Sequence, residues 1–150
     1  VLRHQSFETQ PEAILDIGGG VSKVSGLAFA WSGSTTKEAA MATFVTIGYG
    51  DRAGYNQTDP SVRDAAHEHD DRLRAGGAVM GIAGQPVQVR NHNATGVETA
   101  TGPYLRSDLP IAGFALIEAP SIEEAVALAS GSPCAVAQGV VEVWPLESTQ

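Results

Sequence analysis

The stretch Asp59–Gly77, DPSVRDAAHEHDDRLRAGG, decides how the chain folds. Asp59 is suited to cap a helix, and Pro60 to its first position, where the missing N–H costs nothing. Gly76 and Gly77 close it. At a helical period Val62, Ala66, His69 and Leu73 share one stripe, while Arg63, Asp64, His67, Asp71 and Arg74 fall mostly on the other side. An imidazole therefore sits where such a stripe normally carries Leu or Val. Either the core satisfies it with a hydrogen bond, or the stripe lines a pocket and the imidazole works there.

The flanking segments place this helix in an α+β fold. Thr43–Tyr49, TFVTIGY, reads as a strand with Val45, Ile47 and Tyr49 on one face. GDRAGYNQTD, from Gly50 to Asp59, reads as a loop. Ala78–Ala83 is a second strand, in which Gly81 marks a bulge or a close approach. Pro86–Arg90 and Val97–Ala100 form a hairpin around NHNATG, with His92 exposed in the turn. Thr101–Pro110 is a loop. Ile111–Glu118, IAGFALIE, is apolar on both faces, which predicts a central strand covered on both sides, and Gly113 leaves room for a neighbour. Ser121 and Glu124 make a capping box for a second helix, with Ile122, Ala125, Val126 and Ala129 as its stripe and Gly131 and Pro133 as its end. Val140–Leu146 is a last strand, and Pro145 predicts an edge position or a strand end. The order β-α-β, hairpin, β-α-β predicts a ferredoxin-like sandwich: an antiparallel sheet with two helices on one face. The other face, with Tyr49, Phe114 and Trp144 as candidate lining, then needs cover. A homodimer packed sheet against sheet would supply it.

Composition narrows the partners. The chain has 150 residues and a net charge of -8. That field repels phosphate backbones, and no basic stripe with interleaved aromatics is present, so nucleic acid is not an expected partner. No run approaches the length of a membrane span, so no membrane role is expected. The single Cys134 cannot form an intramolecular disulfide or a cysteine zinc cage, which is compatible with a cytoplasmic location. Residues 1–40 read as an N-terminal extension. Gly18–Gly20 suggests a flexible link, because no Lys-Ser/Thr pair closes it into a phosphate loop. Met41 looks like the start of the native domain, which then covers 41–150.

Three stretches in that domain resemble the YCII-related domain family, in particular its DGPF branch. HEHDDRLRAGG is similar to the branch's helix with a His-Asp pair and a closing glycine. TGPY followed by IAGFALIEAPSIEEAVALA is similar to DGPF followed by a Gly-Gly-Phe strand and an acidic-start helix. VVEVWPL is similar to the closing Val-Glu-Val-Arg-Pro strand. The resemblance covers Met41 to Leu146. The resemblance implies a ferredoxin-like subunit that dimerises into an α/β barrel. It also implies that His69 faces a cleft with Asp70 beside it. Some relatives are proposed to be lyases or dehydrochlorinases, and others accompany sigma-factor systems. The chain departs from the pattern at three places. Thr101 replaces the signature Asp, Tyr104 replaces the Phe, and Ser132 stands where the broader family often has an Asp before Pro133.

His69 and Asp70 are thus the candidate catalytic residues, and Arg72, Thr101 and Tyr104 the candidate binding residues. Asp70 is about 100° around the helix from His69 and is badly placed to hold its ring. His67 and Asp71 have the spacing of a metal pair, but the exposed helix face explains them; no metal or cofactor is expected. Cys134 has no basic neighbour in prospect, and Ser132 lacks a nucleophile elbow. Two functions remain: a homodimeric module that binds a small organic ligand such as an organic acid at His69, or a small cofactor-free lyase or isomerase in which His69 moves a proton.

Overall fold

The computed structural model describes residues 40–149. The expectations for the N-terminal extension lie outside the described residues. The elements are β1 (Ala42–Tyr49), α1 (Arg52–Gln57), α2 (Pro60–Ala75), β2 (Val79–Ile82), β3 (Val87–Arg90), β4 (Glu98–Thr101), β5 (Ile111–Ala119), α3 (Ile122–Ser130), α4 (Pro133–Val136) and β6 (Val140–Pro145). Four strands form an antiparallel sheet in the order β2-β5-β1-β6, and β3 and β4 form a separate two-stranded sheet. The arrangement is α+β and compatible with a ferredoxin-like fold. No helix among the described residues is long and apolar enough to cross a membrane.

Local chemistry explains the element ends. The Asp59 carboxylate accepts from the Ser61 N–H at 2.8 Å, and Gly76 caps the far end of α2. Ser121 Oγ accepts from the Glu124 N–H at 3.2 Å and opens α3, which ends at Gly131. β5 lies between β1 and β2, and β6 is an edge strand. The register pairs Phe44 with Ile117 and Ala42 with Ala119. Phe44, Ile117, Ala119 and Ala125 form the buried core under α3, with Ala115, Leu128 and Val143 packed around it.

Several expectations are corrected. The segment after β1 is not a plain loop. Asp51 Oδ1 accepts from the Gly54 N–H at 2.8 Å and starts the short helix α1. A further short helix, α4, begins at Pro133, whose fixed φ suits a first helical turn. The irregularity assigned to Gly81 lies instead between Gly48 and Tyr49. The close approach does occur: a Cβ on Gly113 would stand 2.7 Å from the Gly81 carbonyl oxygen. Val126 is exposed, and Leu128 takes its place against the core because α3 meets β5 and β6 through its Ala125–Leu128–Ala129 side.

β5 is covered on one face only within the single chain. Phe114 and Leu116 are 47% and 42% exposed, beside Val79 and Trp144 at 68% and 55%. Register places these side chains on the sheet face away from α3. On that face Glu142 Oε2 accepts from the Tyr49 hydroxyl at 3.1 Å and from Trp144 Nε1 at 3.0 Å.

Candidate functional site

Helix α2 has neighbours on two sides, and they use different stripes of it. On one side His69 meets the end of α3. Its Nε2 is 2.7 Å from the Leu128 carbonyl oxygen and so donates to it. The ring lies flat against Gly131, where an added Cβ would be 3.0 Å from three ring atoms. Leu128 is in the last turn of α3, where carbonyls lack helical partners, so the imidazole completes that helix end. His69 and Arg72 border a small open cleft with Val62, Gly131 and Val136.

The other side of α2 borders a larger cavity of about 670 Å³. His67, Asp70, Leu73 and Arg74 line it from α2, Asp51, Arg52 and Tyr55 from the α1 region, and Ser132, Pro133 and Cys134 from α4 and its cap. Its opposite wall is the sheet, through Thr46 and Gly48 of β1, Met80 and Ile82 of β2, and Gly113 and Ala115 of β5. Gly48 and Gly113 are the reason this wall is close and smooth. A Cβ on Gly48 would come within 2.8 Å of Cys134 Sγ.

Polar groups converge on this cavity. The Tyr55 hydroxyl is 2.8 Å from His67 Nε2. Arg63 stacks over the Tyr55 ring, its Cζ 4.7 Å from the centroid, which fixes the ring and its hydroxyl. Asp70 is half-buried. The ion pair among the described residues is Arg74–Asp71 at 2.9 Å, and the Asp70 carboxyl has no hydrogen-bond or ion-pair partner among them. Burial pushes the Asp70 carboxyl above its usual range, with partial relief from Arg74 and the two histidines. Burial also raises the Cys134 thiol, and the Asp70 charge adds to the effect. The thiol is therefore packed against Gly48 in its protonated form rather than activated. Ser132 Oγ is buried, makes no capping bond, and has no hydrogen-bond partner among the described residues.

The sequence candidates are thus separated. Asp70 is in the large cavity, while His69 and Arg72 are at the small cleft. Thr101 is exposed at the end of β4, and Tyr104 is 80% exposed with Arg90 stacked 5.7 Å from its ring centroid. Neither lines the cavity that contains Asp70. His67, Tyr55, Ser132 and Cys134 are the lining residues that the helical pattern did not select. The i, i+3, i+7 set His67–Asp70–Arg74, a second stripe hidden by its charge, is the signal that would have found His67; Tyr55, Ser132 and Cys134 join it only through the packing of α1 and α4. Among the described residues, no group of three or more His, Cys, Asp or Glu comes together to hold a metal.

No family model matches the chain, and no curated protein matches it.

Proposed function

We propose that the domain is a YCII-related binding module whose ligand is a small organic molecule, held between α2 and the sheet at Asp70. The observation that carries this is the cavity itself. It has the size of a small-molecule site, mainly apolar walls, and a few convergent polar groups including a carboxyl displaced from its ordinary titration range. This moves the site from His69 to the adjacent stripe of the same helix. His69 already spends its Nε2 on the Leu128 carbonyl, so a lyase or isomerase mechanism with His69 as the base draws no support from the geometry. The exposed apolar residues Val79, Phe114, Leu116 and Trp144 support a homodimer packed through the open sheet face, and with it the closed α/β barrel that the family resemblance implies.

The test is a ligand-observed NMR screen of small organic molecules against the full chain, repeated after Cys134 has been blocked with a bulky disulfide reagent. Cys134 is the single cysteine, so the block falls inside the cavity. Hits that disappear on blocking are expected. A screen without hits, or hits indifferent to the block, would overturn the proposal.

A further inference from the structure

Three features of the cavity narrow the chemistry of its ligand. The first is the Asp70 carboxyl, which has no hydrogen-bond or ion-pair partner among the described residues. Of the arginines that line the cavity, Arg74 is held by Asp71 at 2.9 Å, and Arg52 is exposed. The second is Ser132 Oγ, on a residue that lines the cavity, buried without a hydrogen-bond partner among the described residues. A buried hydroxyl in that state is costly unless something else completes it. Asp70, Ser132 and Cys134 all line this cavity. The third is the net charge of -8, a field that concentrates cations and repels organic acids.

Building on the ligand-site reading above, we propose that the cavity takes an organic amine with an apolar body. Its ammonium pairs with the Asp70 carboxylate and gives a second N–H to Ser132 Oγ, while its apolar part lies against Met80 and Leu73. A carboxylate ligand would meet Asp70 head on, and a neutral one would leave that charge unpaired. The titratable and charged groups whose charge acts on Asp70 are Arg74, His69, His67 and Asp71 on its own helix, and Asp70 in turn acts on Cys134 of α4. Asp51 and Arg52 border the same cavity from the α1 region. Binding an ammonium holds Asp70 ionised, so affinity is full above the carboxyl's titration range and falls as pH drops through it. A neutral hydrogen-bond acceptor would show the opposite trend, because it needs the protonated acid.

The experiment is calorimetric titration of the full chain with 2-phenylethylamine, 2-phenylethanol and phenylacetate as a matched set. The amine is expected to bind about tenfold or more tightly than the alcohol, and phenylacetate weakest. Asp70→Asn should remove the preference for the amine, and Ser132→Ala, whose lost hydroxyl has no hydrogen-bond partner among the described residues, should weaken amine binding several-fold. Tighter binding of the alcohol or the acid, or an amine preference that survives Asp70→Asn, would overturn the amine assignment and leave the cavity as a site. If none of the three binds and none slows thiol labelling of Cys134, the assignment and the ligand-site reading fall together.

Discussion

Replacing His69 with leucine separates a structural imidazole from a functional one. Leucine is the residue the apolar stripe of α2 asks for, and it keeps helix propensity high. In the structure it removes the donor that meets the Leu128 carbonyl at 2.7 Å. That carbonyl lies in the last turn of α3, half-buried under α2, where water replaces the lost bond poorly. Leaving such a group unsatisfied costs about 1–3 kcal/mol. The branched side chain must also settle against Gly131, where the flat ring now leaves room for no Cβ, and this offsets most of the extra apolar burial. The net expectation is a loss of about 1–2 kcal/mol. In a urea melt followed by far-UV circular dichroism, the midpoint should fall by roughly 0.5–1 M at an unchanged slope. A variant as stable as wild type, or more stable, would refute the reasoning. The imidazole would then be retained against the interest of the fold, as functional groups often are.

Three other perturbations follow from the same contacts. Gly48→Ala places a methyl 2.8 Å from Cys134 Sγ and should cost about 1–3 kcal/mol; adding Cys134→Ala should recover much of that, and equal melts for single and double variants would contradict it. Asp70 has its folded titration range raised by burial. The folded state therefore binds more protons than the unfolded state between the two ranges, and this carboxyl's contribution falls as pH rises through that window. Asp70→Asn should thus melt higher than wild type at neutral pH, with the gap closing below the ordinary Asp range; thermal melts at several pH values check the sign, and a gap that widens on acidification would reverse it. Leu116→Arg on the open sheet face should leave the melt near wild type and shift sedimentation from dimer to monomer. An unchanged sedimentation coefficient would remove the sheet-to-sheet dimer.

The sequence was most readable where one physical rule acts alone. The Asp59–Pro60 start and glycine end of α2, the capping box of α3 and the apolar run of β5 each carry a local signal that tertiary packing has no reason to override. α1 was hidden because RAGYNQ is short, holds a glycine and an asparagine, and depends on the Asp51 cap and on Tyr55 meeting His67. α4 has four residues, too few for any periodicity. The site was half legible. The single-stripe rule picks the residue that meets one neighbour, and His69 does meet α3. But α2 is bordered on two sides, and the second stripe carries His67, Asp70 and Arg74, which read as solvent-facing because they are charged. Only the packing of α1, α4 and the sheet around that stripe reveals a cavity.

The most direct test of the central claim is a map of backbone amide shifts in ¹⁵N-labelled protein as 2-phenylethylamine or a hit from the screen is added. The account predicts that the perturbed amides cluster at Gly48, Asp70, Gly113 and Cys134, around the large cavity. Perturbations confined to Val62, His69, Arg72 and Gly131 would place the site at the small cleft on the other side of α2 and contradict it.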